Sequence, residues 1–329
     1  MRAYVIESFG QPGRVETDFP IIQPEPHELL IEVHASGVNP VDTKIARGLF
    51  ESAAPSLPAV IGMDMSGVVV GIGKDVKGFA IGDEVFGCVG GLAGRPGTLA
   101  DYVAADARLV ALKPQSLSMR QAAALPLVCI TAWEGLIDRA KISSGQTVLV
   151  HSGAGGVGHV AVQIAKAFGA DVYTTVSTQQ KQKIAAEFGA KTILYRDISV
   201  PDYIAQLTGG KGFDVVYDTV GGQVFEESAM ATRRYGKLIS CSGWGMHDLT
   251  NILGRSLDLI GIFMALTLLT GENLARHGDI LRDMTKLIEA GQLRPLLDPQ
   301  RFTLDDVVRA HEHLLSGKAV GKIVVDIKL

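Results

Sequence analysis

Cysteine is scarce. The three thiols, Cys88, Cys129 and Cys241, form no C-x-x-C pair and leave an odd count, which excludes a disulfide framework and suits a reducing cytosol. Charge of one sign is lacking too: 31 Lys and Arg against 35 Asp and Glu give a formal net charge of −4. So mixed a balance, with no cluster of basic and aromatic residues, argues against nucleic acid as a partner. No hydrophobic run is long enough for a membrane span. Leu259 to Thr270 is uncharged but falls short of the roughly 18 residues required, and reads as a buried strand or an interface. The N-terminus enters strand-like alternation at once, without a basic region leading into an apolar one, so a cytoplasmic protein is expected. What is present is the apolar and charged content of a globular protein, 47% and 20%, in 329 residues, enough for two domains. Glycine stands out, with 38 residues against a usual level of about 7%.

From Met1 to about Lys113, short β runs alternate with Gly and Pro, as in a compact β unit with irregular turns. At Ser118 the texture changes: Ser118-Met119-Arg120-Gln121 has the form of a capping box, and an apolar helical run follows, interrupted at Pro126. From Gln146 to about Phe263, strands and helices alternate, and the strands lack polar alternation. Repeated βα order with strands apolar on both faces predicts a doubly wound parallel sheet. A helix near Leu274 to Ala290, a second opened by Thr303-x-x-Asp306 and a last strand near the C-terminus could complete either domain. The division expected is 1–120 for the β domain, 121–265 for the dinucleotide-binding domain and 266–329 for the tail.

The first strand of the alternating half runs into Gly153-Ala154-Gly155-Gly156-Val157-Gly158, and a helix opens directly after it. That is G-x-G-x-x-G in strand-turn-helix context: glycines for a tight turn, for backbone approach to a pyrophosphate and for close helix packing. The helix N-terminus supplies free N–H groups and a positive dipole end. About 20 residues on, where an NAD site places an acid on the ribose 2′-hydroxyl, the chain has Thr175-Val176-Ser177-Thr178. Asp171 sits at the wrong end of that strand. Lys181, Ser177 and the Tyr195-Arg196 pair would instead meet a 2′-phosphate, which favours NADPH. Taken alone, Lys181 also reads as a solvated helix-face lysine.

With these residues in hand, the sequence resembles the medium-chain dehydrogenase/reductase superfamily, in its zinc-free quinone oxidoreductase branch. The resemblance is carried by Gly37-Val38-Asn39-Pro40-Val41-Asp42, Gly62-Met63-Asp64-Met65-Ser66-Gly67, Gly82-Asp83-Glu84-Val85, Leu125-Pro126-Leu127, Thr131-Ala132-Trp133 and the glycine loop, over essentially the whole chain. It implies an N-terminal GroES-like β domain, completed by the C-terminal tail, beside a Rossmann domain. It also implies NADPH contacts from Thr131, Ser177, Lys181, Tyr195, Val220, Ser242, Phe263 and Lys322, and a homodimer formed through the strand around 257–264. Zinc-dependent relatives carry Cys and His where this chain has Asn39 and Met63, neither of which replaces thiolate and imidazole as a zinc ligand. His311 and His313 stand at i, i+2, on different faces of a helix. No metal site is expected.

The activity implied is hydride transfer from NADPH to a quinone or to the β-carbon of an enone, the protein stabilising the oxyanion that develops. Asn39 could donate its amide N–H to that oxygen, or could serve only the turn before Pro40. Asp42 is expected to fix the local backbone. Lys44 could act as a cationic donor if turned inward, or remain a surface lysine. Gly87 to Thr98, rich in glycine, reads as a mobile lip. Two other functions stay open: an NADPH-dependent aldehyde or alcohol oxidoreductase, and a non-catalytic NADPH-binding sensor.

Overall fold

The computed structural model describes residues 1–50 and 53–328. It contains two compact units: Met1–Ile130 with Ala265–Gly291 and Pro295–Leu329, and Thr131–Met264 with Gln292–Arg294.

The first unit begins with β1 (Ala3–Ile6), β2 (Arg14–Glu16), β3 (Glu28–Gly37), α1 (Pro40–Ala46), β4 (Ala59–Val60), β5 (Asp64–Ile72), β6 (Glu84–Cys88), β7 (Tyr102–Asp106) and β8 (Val110–Leu112). β3 is its spine. Its residues alternate between buried and half-buried along most of its length, as one inward and one outward face require. β3 pairs antiparallel with β5 along almost its whole length and with β7 through Glu28 to Glu32. Gly67 of β5 lies so near the Glu32 carbonyl that a Cβ there would stand 2.1 Å from its oxygen.

The change of texture at Ser118 marks a change of element. The capping box forms, with Ser118 N–H donating to Gln121 Oε1 at 2.9 Å and Gln121 N–H to Ser118 Oγ at 3.3 Å. It opens α2 (Met119–Ala123), which packs on β3 and β5 inside the first unit. α3 (Pro126–Trp133) follows with proline at its first position, where no N–H is needed.

The second unit holds β9 (Thr147–Val150), α4 (Gly156–Ala167), β10 (Asp171–Val176), α5 (Gln179–Glu187), β11 (Lys191–Leu194), α6 (Val200–Thr208), β12 (Phe213–Asp218), α7 (Gln223–Ala231), β13 (Thr232–Ser240), α8 (Thr250–Gly254) and β14 (Asp258–Gly261). The sheet order is β11-β10-β9-β12-β13-β14, six strands, all parallel. This is the doubly wound dinucleotide-binding order, with its switch point beside β9. The apolar strands lie under helices on both faces: Val148, Leu149, Val150, Val215, Val216 and Tyr217 are wholly buried. The edge strand β14 is shorter than the apolar run Leu257 to Met264 suggested.

After α9 (Ala265–Thr270) and α10 (Leu274–Glu289), the chain forms β15 (Phe302–Thr303), α11 (Val307–Leu315) and β16 (Val324–Asp326). β16 pairs antiparallel with the end of β3, Val324 facing Gly37 and Asp326 facing Ala35. The tail therefore completes the GroES-like domain. The glycine-rich segment Gly87 to Thr98 is tied down by several bonds. Gly91 N–H donates to Pro96 O, Ala93 N–H to Ala53 O, and Arg95 Nε to Leu268 O at 3.0 Å.

Candidate functional site

In the second unit, six of the expected cofactor elements meet at one edge of the sheet. The glycine loop follows β9, Ser177 follows β10, Tyr195 follows β11, Val220 follows β12, Ser242 follows β13 and Phe263 follows β14. All lie past the carboxyl ends of parallel strands, the edge at which such sheets bind their ligands.

The loop's geometry depends on its glycines. A Cβ on Gly153 would stand 2.2 Å from Thr174 Oγ1, one on Gly155 2.7 Å from Ser152 Oγ, and one on Gly158 2.0 Å from Ser152 O. The hydroxyl that crowds Gly153 is fixed, since Thr174 Oγ1 donates to Val150 O at 2.6 Å. α4 starts at Gly156 without a side-chain cap and without an acid in its first turn. Its leading amides, those of Gly156, Val157 and Gly158, have no carbonyl behind them in the helix. Uncapped donors at a positive dipole end, on a loop that admits no side chain at Gly153, Gly155 or Gly158, fit a dinucleotide pyrophosphate.

Around the second turn, Thr178 caps α5 by accepting from Lys181 N–H at 3.2 Å, which fixes the start of the helix carrying Lys181. Val176 accepts from Tyr195 N–H, so Ser177 and Tyr195 emerge from paired strands. Tyr195 is half exposed, with the Arg196 guanidinium 5.9 Å from its ring centre. Asp171, at the far end of β10, is engaged by Lys191 Nζ at 2.8 Å. No carboxylate stands on β10 where a ribose 2′-hydroxyl would need one.

Two residues of this edge carried no earlier assignment. Asp218 closes β12, buried, and its Oδ1 accepts from Val220 N–H at 2.9 Å and Gly221 N–H at 2.8 Å while its Oδ2 accepts from Ser240 Oγ at 2.7 Å. It thereby builds the turn that presents Val220. A strand-ending acid before Gly221-Gly222 was the available signal. His151, beside the glycine loop, bonds Thr175 Oγ1 through Nδ1 at 3.0 Å. Burial holds its imidazole down to about 4, so it is neutral at pH 7. Thr131 is buried, and its carbonyl accepts from Tyr217 Oη at 2.8 Å. That hydroxyl lies where α3 gives way to a π-helical stretch, Glu134–Arg139, and the Tyr217 ring rests against Gly135, whose Cβ would stand 2.9 Å from it.

The first unit contains a separate buried cluster. Asn39, Asp42, Asp64 and Lys322 are at most 3% exposed. Asn39 Nδ2 donates to Asp64 Oδ2 at 2.9 Å, Leu127 N–H donates to Asp64 Oδ1 at 2.8 Å, and Lys322 Nζ donates to Val38 O at 2.9 Å and to Asn39 Oδ1. Lys322 Nζ stands 3.6 Å from Asp64 Oδ2. Lys322 was expected at the cofactor, but its ammonium is engaged here. Asp64 was visible only as part of a motif. Burial pushes its carboxyl up, against the opposing pull of the Lys322 ammonium and of its hydrogen bonds. Lys44 does not join the cluster. It lies on the exposed face of α1, opposite the buried Asp42, Thr43 and Ile45.

Asp42 acts on the backbone. Its Oδ2 accepts from Asn39 N–H at 2.7 Å and so closes the start of α1, while its Oδ1 is buried without a hydrogen-bond partner. Burial raises its carboxyl to about 7. The unfolded chain loses that proton near pH 4, so stability falls as pH rises from about 4 to about 7, and the loss is complete above that range. Asp42→Asn keeps the acceptor and removes the charge. It is expected to stabilise the protein by about 2–4 kcal/mol at pH 8 and by little at pH 4, read by urea unfolding. Parallel pH profiles for variant and parent would contradict this.

The cluster does not suit Zn²⁺. Asn39 and Met63 replace thiolate and imidazole, and the Asn39 oxygen already faces an ammonium. Among the described residues, no group of three or more His, Cys, Asp or Glu is placed to hold a metal ion. No helix there is long and apolar enough to cross a membrane.

Fold and site together define a two-domain, dinucleotide-dependent oxidoreductase class. Residues 25–115 match the alcohol dehydrogenase GroES-like domain model, and residues 156–274 the zinc-binding dehydrogenase model. The 2-methylene-furan-3-one reductase of Solanum lycopersicum is 34% identical across 99% of this chain and 79% of its own length. The crystal structure of an alcohol dehydrogenase superfamily protein from Novosphingobium aromaticivorans superimposes with a TM-score of 0.96 at 43% identity, covering 100% of both chains. That of Escherichia coli quinone oxidoreductase complexed with NADPH does so with 0.86 at 28% identity, covering 99% of each. The chain belongs to the medium-chain dehydrogenase/reductase superfamily, in its quinone oxidoreductase-like branch.

Proposed function

We propose that this protein is an NADPH-dependent reductase of quinones or α,β-unsaturated carbonyls that works without zinc. The observation carrying this reading is the buried Asn39-Asp64-Lys322 cluster, which supplies an organic hydrogen-bond donor where zinc-dependent relatives place ligands. Bound NADPH supplies the hydride. The leading amides of α4 take its pyrophosphate, and Ser177, Lys181 and Tyr195 take its 2′-phosphate. Asn39 Nδ2 gives one N–H to Asp64 and keeps a second for the acceptor oxygen, where negative charge collects as hydride arrives. Asp42 holds the Asn39 backbone, and water delivers the proton.

The names of relatives support both acceptor types, a quinone in one and an enone in another. Purified protein should oxidise NADPH faster than NADH when offered a panel of quinones and enones. The reading is wrong if nothing in the panel turns over, or if chelation abolishes activity and Zn²⁺ restores it.

We further propose a homodimer through β14. It is the sheet's edge strand, Leu259 on it is about half exposed, and Trp244, Met246 and Leu253, in the chain between β13 and β14, are more so. An unpaired apolar edge invites a second copy. Light scattering should give about twice 34.9 kDa. A species of 34.9 kDa alone at micromolar concentration would rule the dimer out.

A further inference from the structure

We infer that Lys322 and Asp64 are positioning residues that lock the Asn39 amide in one orientation and so aim its remaining N–H. The inference rests on the donor role given to Asn39 above. An amide can flip by half a turn at little cost unless its neighbours tell oxygen from nitrogen. Here they do. The Lys322 ammonium has hydrogens only and must face Oδ1; the Asp64 carboxylate accepts only and must face Nδ2. A flipped amide would set N–H₂ against an ammonium and a carbonyl against a carboxylate, in a site shielded from water where such repulsion is strong. With one hydrogen of Nδ2 committed to Asp64, the direction of the other is fixed.

Both clamping groups are themselves held. Asp64 Oδ1 is pinned by Leu127 N–H. Lys322 Nζ is also bonded to Val38 O, and its backbone bonds Leu296 O through N–H at 2.8 Å while its carbonyl accepts from Asp298 N–H at 2.9 Å. The ammonium also polarises the amide through its oxygen, which strengthens the N–H as a donor. The tail thus contributes to the chemistry by fixing a side chain some 280 positions earlier in sequence.

The test compares Lys322→Met, Lys322→Arg, Asn39→Ala and the double variant Asn39→Ala/Lys322→Met. Lys322→Met should lower kcat by about tenfold, as loss of orientation without loss of the donor would. NADPH affinity, read by fluorescence titration, should stay within about twofold, and Lys322→Arg should recover part of the rate. Because Lys322 acts through Asn39, the double variant should be no slower than Asn39→Ala alone. Losses that multiply in the double variant, or a fall in NADPH affinity matching the fall in kcat, would overturn the inference. If Lys322→Met does not fold, Lys322→Met/Asp64→Asn removes both charges together and carries the same comparison. If the parent reduces no quinone or enone, the donor reading fails on its own and the clamp is read by NMR. The Asn39 side-chain amide should give two well-separated proton signals that move and broaden in Lys322→Met, and unchanged signals would overturn it.

Discussion

Asn39→Ala is expected to slow turnover of a quinone or enone by about 10²- to 10³-fold, the loss typical of removing one donor to a developing oxyanion. The size follows from where the group sits. Asn39 is fully buried, so its N–H acts in a medium of low dielectric, and it is held between charges, so it need not reorganise as the reaction proceeds. The loss should fall on kcat and kcat/KM together, because the bond strengthens only as charge reaches the oxygen. NADPH binding should be nearly unchanged. The substitution also leaves Lys322 and Asp64 facing a gap, and a stability loss of about 1–3 kcal/mol is expected with it. The start of α1 should survive, since Asp42 bonds the backbone N–H of Asn39, which alanine retains. A folded variant with kcat within about threefold of the parent would remove Asn39 from the chemistry.

Lys181→Ala should weaken NADPH binding by about 10- to 100-fold, the equivalent of losing one charge-assisted hydrogen bond to phosphate. NADH should change by no more than about twofold, because its ribose carries no phosphate for the lysine to meet. The structure gives Lys181 no ion pair among the described residues, whereas Lys191 on β11 is committed to Asp171. Its backbone is set by Thr178, so the side chain starts from a fixed point at the end of β10. The parent's preference for NADPH should shrink as salt is raised, since a cation that water still reaches is screened. Equal losses for both nucleotides would mean that Lys181 serves helix α5 rather than the 2′-phosphate.

Much of the sheet edge that carries the glycine loop was legible because its signals are local. A glycine loop between a strand and a helix, and a strand end without an acid, are both read within 30 residues, and backbone geometry leaves them little freedom. Capping pairs such as Ser118 with Gln121 were legible for the same reason. Asp218 was missed because an acid ending a strand looks the same whether it binds a ligand or builds a turn, and only its bonds to Val220, Gly221 and Ser240 distinguish the two. Lys44 and Lys322 show the complementary limit. Lys44 follows the Asn39-Pro40-Val41-Asp42 segment, and Lys322 precedes the last strand. The side of α1 on which Lys44 falls, and the pairing of β16 with β3 that buries Lys322, depend on contacts that no local window contains.

By itself, then, the sequence determined the two textures, the doubly wound parallel sheet and the glycine loop that follows its first strand, all of which follow from short-range periodicity and residue chemistry. Tertiary structure alone decided that an ammonium from the tail meets an amide and a carboxylate from near the other end of the chain. The reason is physical: burying Lys322, Asp64 and Asn39 is tolerable only when each satisfies the others, and that condition joins residues far apart in sequence.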